Sequence, residues 1–201
     1  MRRTFAEKQT IVCFVGRKVP MKDVKGFIRA VPHLIKQMPE IKCWIIGSTD
    51  QDPKYAQECR ELVENIMLTD VIEFKPHQNM ADVLPQVKLL VLNAIRESMP
   101  LVILESFAAG VPVVATHVGA CREMIMGVDD DDKAIGAAGC VVNVVDPPGL
   151  AKAIMDSLVD PELWTQMSQA AIKRVERYYD EKIMFEKYRQ IYEGAIASWP
   201  E

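Results

Sequence analysis

Two glutamates, Glu97 and Glu105, stand with seven residues between them in RESMPLVILESFAAGVPVVAT (96–116), a mostly apolar run with a proline near its front and a glycine near its back. Carboxylates accept hydrogen bonds from hydroxyls, so a pair placed at a turn and on the helix after it suits a ligand rich in hydroxyls, such as a sugar. The plainer account gives Glu97 only an electrostatic role at a positive helix start and makes Glu105 an ordinary exposed helix position. A second polar block, VGRKVPMKD (15–23), supplies the opposite charge. Gly16 lets the chain turn, Arg17 and Lys22 could neutralise a diphosphate, and Asp23 is placed to cap the next helix. Here the plainer account is a solvated loop with a surface ion pair to Asp23. The segment Pro100–Leu104 offers free backbone N–H groups at a helix start, which is a ready anion site.

What is missing narrows the chemistry further. Neither G-x-G-x-x-G after the first apolar run nor G-x-x-x-x-G-K-[ST] anywhere is present, so any phosphate is held by side-chain cations and helix N-termini and not by a glycine cradle. The run Asp129–Asp132 lacks flanking oxygen ligands in a loop pattern, so it reads as a solvated, mobile surface loop and not a cation site. Five cysteines, Cys13, Cys43, Cys59, Cys121 and Cys140, are odd in number and mostly inside apolar runs, which predicts buried thiols and neither disulfides nor zinc. His33 reads as a helix-surface residue, while His117 follows a strand end and could face a cleft. Trp44, Trp164, Trp199 and the tyrosines of the tail read as core and helix-docking residues.

These side chains need a scaffold, and the hydrophobic pattern describes one. Short apolar runs recur at 11–16, 41–47, 71–76, 87–93, 111–116 and 140–145, with helix-period segments at 23–38, 53–66, 81–84, 101–109 and 122–127 between them. The runs are continuous and not alternating, so each strand is buried on both faces, as in a parallel sheet sandwiched by helices. Pro53 after Asp52 marks a helix start, and Gly110 marks the end of the helix before it. Three closing helices fill about 148–198, beginning behind Pro148, at Pro161 and in EKIMFEKYRQIYEGAIASW. The prediction is a single α/β domain over 1–201, a doubly wound Rossmann-like parallel sheet of about six strands with helices on both faces. In such a sheet ligands bind beyond the carboxyl ends of the strands, where GRKVPMKD, GSTDQD, PHQNM and NAIRESMP lie.

Composition excludes several partners. With 201 residues, 49% hydrophobic, the chain can bury one sizeable core. A net charge of −4 with interspersed lysines and arginines provides no basic field for nucleic acid. No apolar run approaches the roughly 20 residues that cross a bilayer, and MRRTFAEKQT has no apolar signal core, so a soluble cytoplasmic protein is expected.

The two polar blocks, in this order, resemble retaining glycosyltransferases of the GT-B fold. ESMPLVILESFAAGVPVVAT is similar to that family's E-x-seven-E segment and VGRKVPMKD to its G-R-x-x-x-x-K-D diphosphate loop. The tail RVERYYDEKIMFEKYRQIY resembles the end of bacterial Pel exopolysaccharide glycosyltransferases of the PelF type. One departure is Ser98, where the family often has glycine. The resemblance implies the donor-binding, C-terminal half of a GT-B enzyme, with the N-terminal acceptor domain absent and little activity alone. By the same resemblance Arg17 and Lys22 hold the donor's diphosphate beside Gly16, Glu97 meets donor-sugar hydroxyls, and Glu105 meets the ribose. Amides over Met99, Pro100, Leu101 and Val102, next to Ser98, would meet the β-phosphate or sugar. His77 and Gln78 would lie against the base. The implied donor is a UDP-hexose such as UDP-glucose, used with retention and without a metal, with no further cofactor and with a membrane exopolysaccharide assembly as a partner. The last helix would then cross to the first domain and leave an apolar strip around Phe185, Tyr188 and Tyr192 exposed in this chain. The competing readings are a non-catalytic nucleotide-sugar sensor or scaffold and a doubly wound domain of unrelated chemistry.

Overall fold

The computed structural model describes residues 2–197; Trp199 and the end of the closing helices at Ser198 lie outside them. Strands β1 (Ile11–Val15), β2 (Lys42–Ile46), β3 (Ile72–Lys75), β4 (Leu89–Leu92), β5 (Val113–Thr116) and β6 (Gly139–Val142) form one parallel sheet in the order β3-β2-β1-β4-β5-β6. This is the predicted doubly wound architecture. β1 is its centre, with Val12 opposite Cys43 on one side and Leu89 on the other. Because successive side chains point to opposite faces, Val12 and Phe14 enter one core while Ile11 and Cys13 enter the other. Both faces are covered, which is why the strands lack polar alternation. Helices α1 (Val24–Ile35), α2 (Pro53–Asn65) and α7 (Pro147–Val159) contribute to the first core. α4 (Leu101–Ala108) and α5 (Cys121–Met126) contribute to the second, together with the short α3 (Met80–Val83). α8 (Pro161–Tyr178) serves both, giving Trp164 to the first core and Ala171 to the second.

Helix starts were written plainly. α2, α7 and α8 each begin with Asp-Pro: Asp52, Asp146 and Asp160 accept the N–H of Tyr55, Gly149 and Glu162 at 2.9, 2.9 and 2.8 Å, and proline takes the first position, where no N–H is needed. Trp164 is 2% exposed, its indole N–H donating to the Lys88 carbonyl at 2.7 Å, while Trp44 is half-buried beneath the Lys75 ammonium. Cys13, Cys43, Cys59 and Cys121 are buried, Cys140 partly so, and all are free thiols. Burial pushes the Cys59 and Cys121 thiols up to about 11, which keeps them protonated and unreactive. α9 (Glu181–Ala197) leaves Phe185, Tyr188, Ile191 and Tyr192 exposed, as expected for the strip. No helix among the described residues is long and apolar enough to cross a membrane.

Two local expectations change. β6 stops at Val142, short of 145, and Val145 adopts a left-handed φ of 55° that ends any continuation of the strand. More consequentially, the acidic run is not a solvated loop. Asp129 caps the one-turn α6 (Asp130–Lys133), and Asp132 turns inward, 2% exposed, to pair with the fully buried Arg174 of α8 at 2.6 Å. The same guanidinium donates to the carbonyls of Ile125, Asp132 and Gly136 at 2.8, 2.9 and 2.8 Å, and Asp132 also accepts the Val128 N–H at 3.0 Å. A buried arginine requires a carboxylate and full hydrogen bonding, and α8 brings one to this turn. Asp129, Asp130 and Asp131 are exposed as the run suggested, and only Asp132 is buried.

Removing one partner should therefore strand the other. Asp132→Asn or Arg174→Met is expected to cost about 3 kcal/mol or more, read as a lowered urea midpoint, whereas Asp130→Asn and Asp131→Asn should leave the midpoint unchanged.

Candidate functional site

The sheet order reverses between β1 and β4, so the loops that follow these strands diverge and open a cleft at the carboxyl edge. The cleft has a volume of about 510 Å³, within the range of small-molecule sites. Gly16, Arg17 and Lys22 line it from the loop after β1, Gly47 and Ser48 from the loop after β2, and His77, Gln78, Asn79 and Met80 from the loop after β3. Glu97, Pro100, Leu101, Val102 and Glu105 close it from the β4–α4 side. Of the residues that the resemblance assigns to the donor, only Ser98 and Met99 stand outside the lining; both are exposed on the turn itself.

The two polar blocks meet directly. The Lys22 ammonium is ion-paired with the Glu97 carboxylate, each side chain only 15% exposed. Lys22 therefore does not pair with Asp23, and that part of the plainer account is corrected. Asp23 instead adopts a left-handed φ of 46° and caps α1 by accepting the Gly26 N–H at 3.0 Å. Its carbonyl and its Oδ2 both receive the Asn93 amide at 3.0 Å, and the Ile95 N–H donates to the Met21 carbonyl at 2.8 Å. A Cβ at Gly26 would lie 2.1 Å from Asp23 Oδ2 and 2.7 Å from Asn93 Nδ2, so only glycine leaves room for this junction. Burial raises the Asp23 carboxyl above its ordinary range, with the hydrogen bonds from Gly26 and Asn93 opposing the shift.

Other groups are held more loosely. Arg17 is exposed and its guanidinium donates to the Gln51 side chain, which aims it from the loop before α2. α4 begins after Pro100 without any side-chain cap, so the positive end of the helix faces the cleft. On α4, Ile103, Ser106 and Phe107 form the buried face, while Glu105 is exposed with Leu101 and Ala108, because Glu105 and Ile103 lie on opposite sides of the turn. Ser98 takes an ordinary negative φ, since the only described non-glycine residues with positive φ are Asp23, Met67 and Val145. His77 is exposed at the rim and Gln78 half-buried; His33 and His117 are exposed and do not line the cleft.

Two positions at the carboxyl edge of the sheet escaped the sequence reading. Lys18 is 2% exposed, and its ammonium donates to the Gly47 carbonyl and, at 3.2 Å, to that of Lys75, tying together the ends of β1, β2 and β3. Burial lowers its pKa. Nothing in a lysine beside Arg17 signals this inward turn. Asn79 caps α3 by accepting the Ala81 N–H at 3.0 Å while facing the cleft, and an asparagine ahead of a helical segment was the available signal. Among the described residues no group of three or more His, Cys, Asp or Glu is gathered as a metal site. The arrangement thus offers two cations from the loop after β1, facing an uncapped helix start and the carboxylates of Glu97 and Glu105 on the β4–α4 side.

The chain is 29% identical to the D-inositol 3-phosphate glycosyltransferase of Streptomyces avermitilis over 174 residues, covering 83% of this chain and 36% of that protein. It is 29% identical to the N-acetyl-alpha-D-glucosaminyl L-malate synthase of Bacillus anthracis over 189 residues, 93% of this chain and 46% of that one. It therefore spans less than half the length of these curated relatives. In fold it is similar to Anabaena HepE, solved in complex with UDP and glucose, with a TM-score of 0.82 at 18% identity over 94% of this chain and 49% of that one. A C-terminal domain of a glycosyl transferase group 1 family protein from Francisella tularensis superimposes with a TM-score of 0.73 at 23% identity, covering 86% and 87% of the two chains. The sequence pattern described as Glycosyl transferases group 1 matches residues 2–174, and the chain belongs to that family.

Proposed function

We propose that this chain binds the nucleotide-sugar donor, a UDP-hexose, for retaining glycosyl transfer in exopolysaccharide synthesis, facing an N-terminal acceptor domain outside these 201 residues. The observation that carries the reading is the convergence of Arg17, Lys22, the start of α4, Glu97 and Glu105 on one cleft at the switch point of the sheet. As the bond from the anomeric carbon to the diphosphate breaks, negative charge builds on the β-phosphate. Arg17, Lys22 and the α4 amides from Leu101 and Val102 stabilise it there; Lys22 and the amides are held by the fold and need little reorganisation, while the exposed Arg17 turns to it from Gln51. Charge is met by side-chain cations and a helix start, so no metal is required in this reading. Glu97 accepts from the sugar hydroxyls and Glu105 from the ribose, while His77 and Gln78 flank the base. Lys22 lies between diphosphate and sugar, already paired with the carboxylate that meets the sugar. In this account the protein works in the cytoplasm, next to a membrane exopolysaccharide assembly. This chain alone binds donor and transfers little.

Calorimetric titration with UDP, UDP-glucose, ADP and GDP tests the reading, with selective uridine nucleotide binding expected and loss of that binding in Arg17→Ala. Absence of binding to all four would remove the donor assignment from this chain. Glu105→Ala should weaken UDP and uridine together by roughly tenfold, the scale of a lost hydrogen bond to a charged group. Lys22→Ala should weaken UDP by about tenfold or more while uridine is unchanged; equal loss for both would show that the lysine does not meet the diphosphate. If the longer protein binds UDP-glucose and yet transfers no sugar to any acceptor, the sensor reading replaces the enzyme.

A further inference from the structure

The turn that carries Glu97 is backed by the loop after β5. Gly119 sits in that loop with φ of 50°, and a Cβ there would stand 2.3 Å from the Ser98 carbonyl oxygen and 2.4 Å from that of Glu97. The next residue, Ala120, donates its N–H to the same Ser98 carbonyl at 2.8 Å. At the foot of the loop the buried Thr116 hydroxyl donates to the Ala94 carbonyl at 2.6 Å and to that of Leu92 at 3.3 Å. The segment from Leu92 to Ser98 is thus moored to β5 and its loop at three points, and the closest approach requires the absence of a side chain. Gly119 and Ala120 do not themselves line the cleft.

We infer that Gly119 is a positioning residue for recognition of the donor sugar: its missing side chain sets how deep the Glu97 turn sits, and with it the carboxylate paired to Lys22. The inference rests on the donor reading for its ligand but on backbone contacts for its geometry. An added Cβ must push the Glu97–Ser98 carbonyls away by about 1 Å to reach an ordinary contact, and a misplacement of that size can weaken recognition or reaction by orders of magnitude. The displaced group is the one facing the sugar. Glu105 lies farther along α4, and His77 and Gln78 come from the loop after β3, so the nucleoside contacts are carried by other backbone. Lys22, released from Glu97, would still face the diphosphate. The glycine that the family often has directly after its first glutamate is serine here without a left-handed φ, and the tight packing at this turn is borne by the facing loop instead.

The test is calorimetry with UDP and with UDP-glucose on the wild type, Gly119→Ala and Gly136→Ala, with amide proton–nitrogen spectra of each protein recorded without ligand. Gly136 has a φ of 99° with only the Ala170 Cβ near, at 3.9 Å, so its substitution carries the same kind of backbone strain without reaching the cleft. In Gly119→Ala the UDP dissociation constant should stay within about twofold, UDP-glucose should weaken at least tenfold, and the Glu97 and Ser98 amides should shift; Gly136→Ala should change none of these. Equal loss of both ligands, or unmoved Glu97 and Ser98 amides, overturns the inference, as does a wild type that binds UDP and UDP-glucose equally. A wild type that binds neither ligand rejects the donor reading, and the amide shifts then decide the positioning of the turn alone. Should Gly119→Ala fail to fold, Ala120→Pro serves: its φ of −82° is near the proline range, it removes the N–H that holds Ser98, and it should reproduce the selective loss.

Discussion

A lysine on one loop and a glutamate on another, both mostly out of water, have to face each other at the switch point of the sheet. Lys22 and Glu97 are each 15% exposed, and at that depth either charge alone would be costly. Net stabilisation from such a pair is small, because desolvation offsets most of the attraction. Its consequence is positional. The pair makes the loops after β1 and β4 one unit, and the Asn93–Asp23 and Ile95–Met21 hydrogen bonds give that unit a fixed geometry. Folding therefore completes the ordering that a ligand would otherwise have to supply, and less binding energy is lost when an anion arrives.

The second buried ion pair shows what a purely structural one looks like. Arg174 and Asp132 are 0% and 3% exposed, the guanidinium has four hydrogen bonds, and the pair fastens α8 to the turn after α5. Nothing there is left for a ligand. Lys22 keeps an open side toward the cleft, so the same physics serves retention in one place and exchange in the other. Lys18 belongs with the structural kind, since its ammonium is used up on two carbonyls beneath the cleft.

How much of this could be read from residues alone follows from range. Signals within a few positions were legible: continuous apolar strands gave a sheet covered on both faces, Asp-Pro gave three helix starts, and the loops that follow the strands gave nearly all of the cleft. What failed depended on contacts far along the chain. Asp132 reads as one of four equivalent acids until α8 brings Arg174 to it, and Lys18 reads as solvated until three strand ends converge on it. The plainer account of the first block, a surface ion pair of Lys22 with its neighbour Asp23, fails for the same reason. Adjacency is visible in sequence, whereas the left-handed turn at Asp23 that sends the two side chains different ways is not.

Net charge taken alone opposes an anionic ligand, since the chain carries −4 and a nucleoside diphosphate would add to it. Distance resolves this. At physiological ionic strength charges interact over roughly 8 Å, so acids spread over the surface contribute little inside the cleft. Within that range an incoming diphosphate meets Arg17, Lys22 and the start of α4, against one carboxylate already neutralised by Lys22 and another, Glu105, displaced along the helix. The local balance is therefore positive where phosphate would sit and negative where hydroxyls would, although the whole is acidic. That separation depends on Glu97 staying paired at its present depth. Were its turn to move outward, the carboxylate would leave the place where hydroxyls would be met, while Arg17, Lys22 and the start of α4 would still face the place for phosphate.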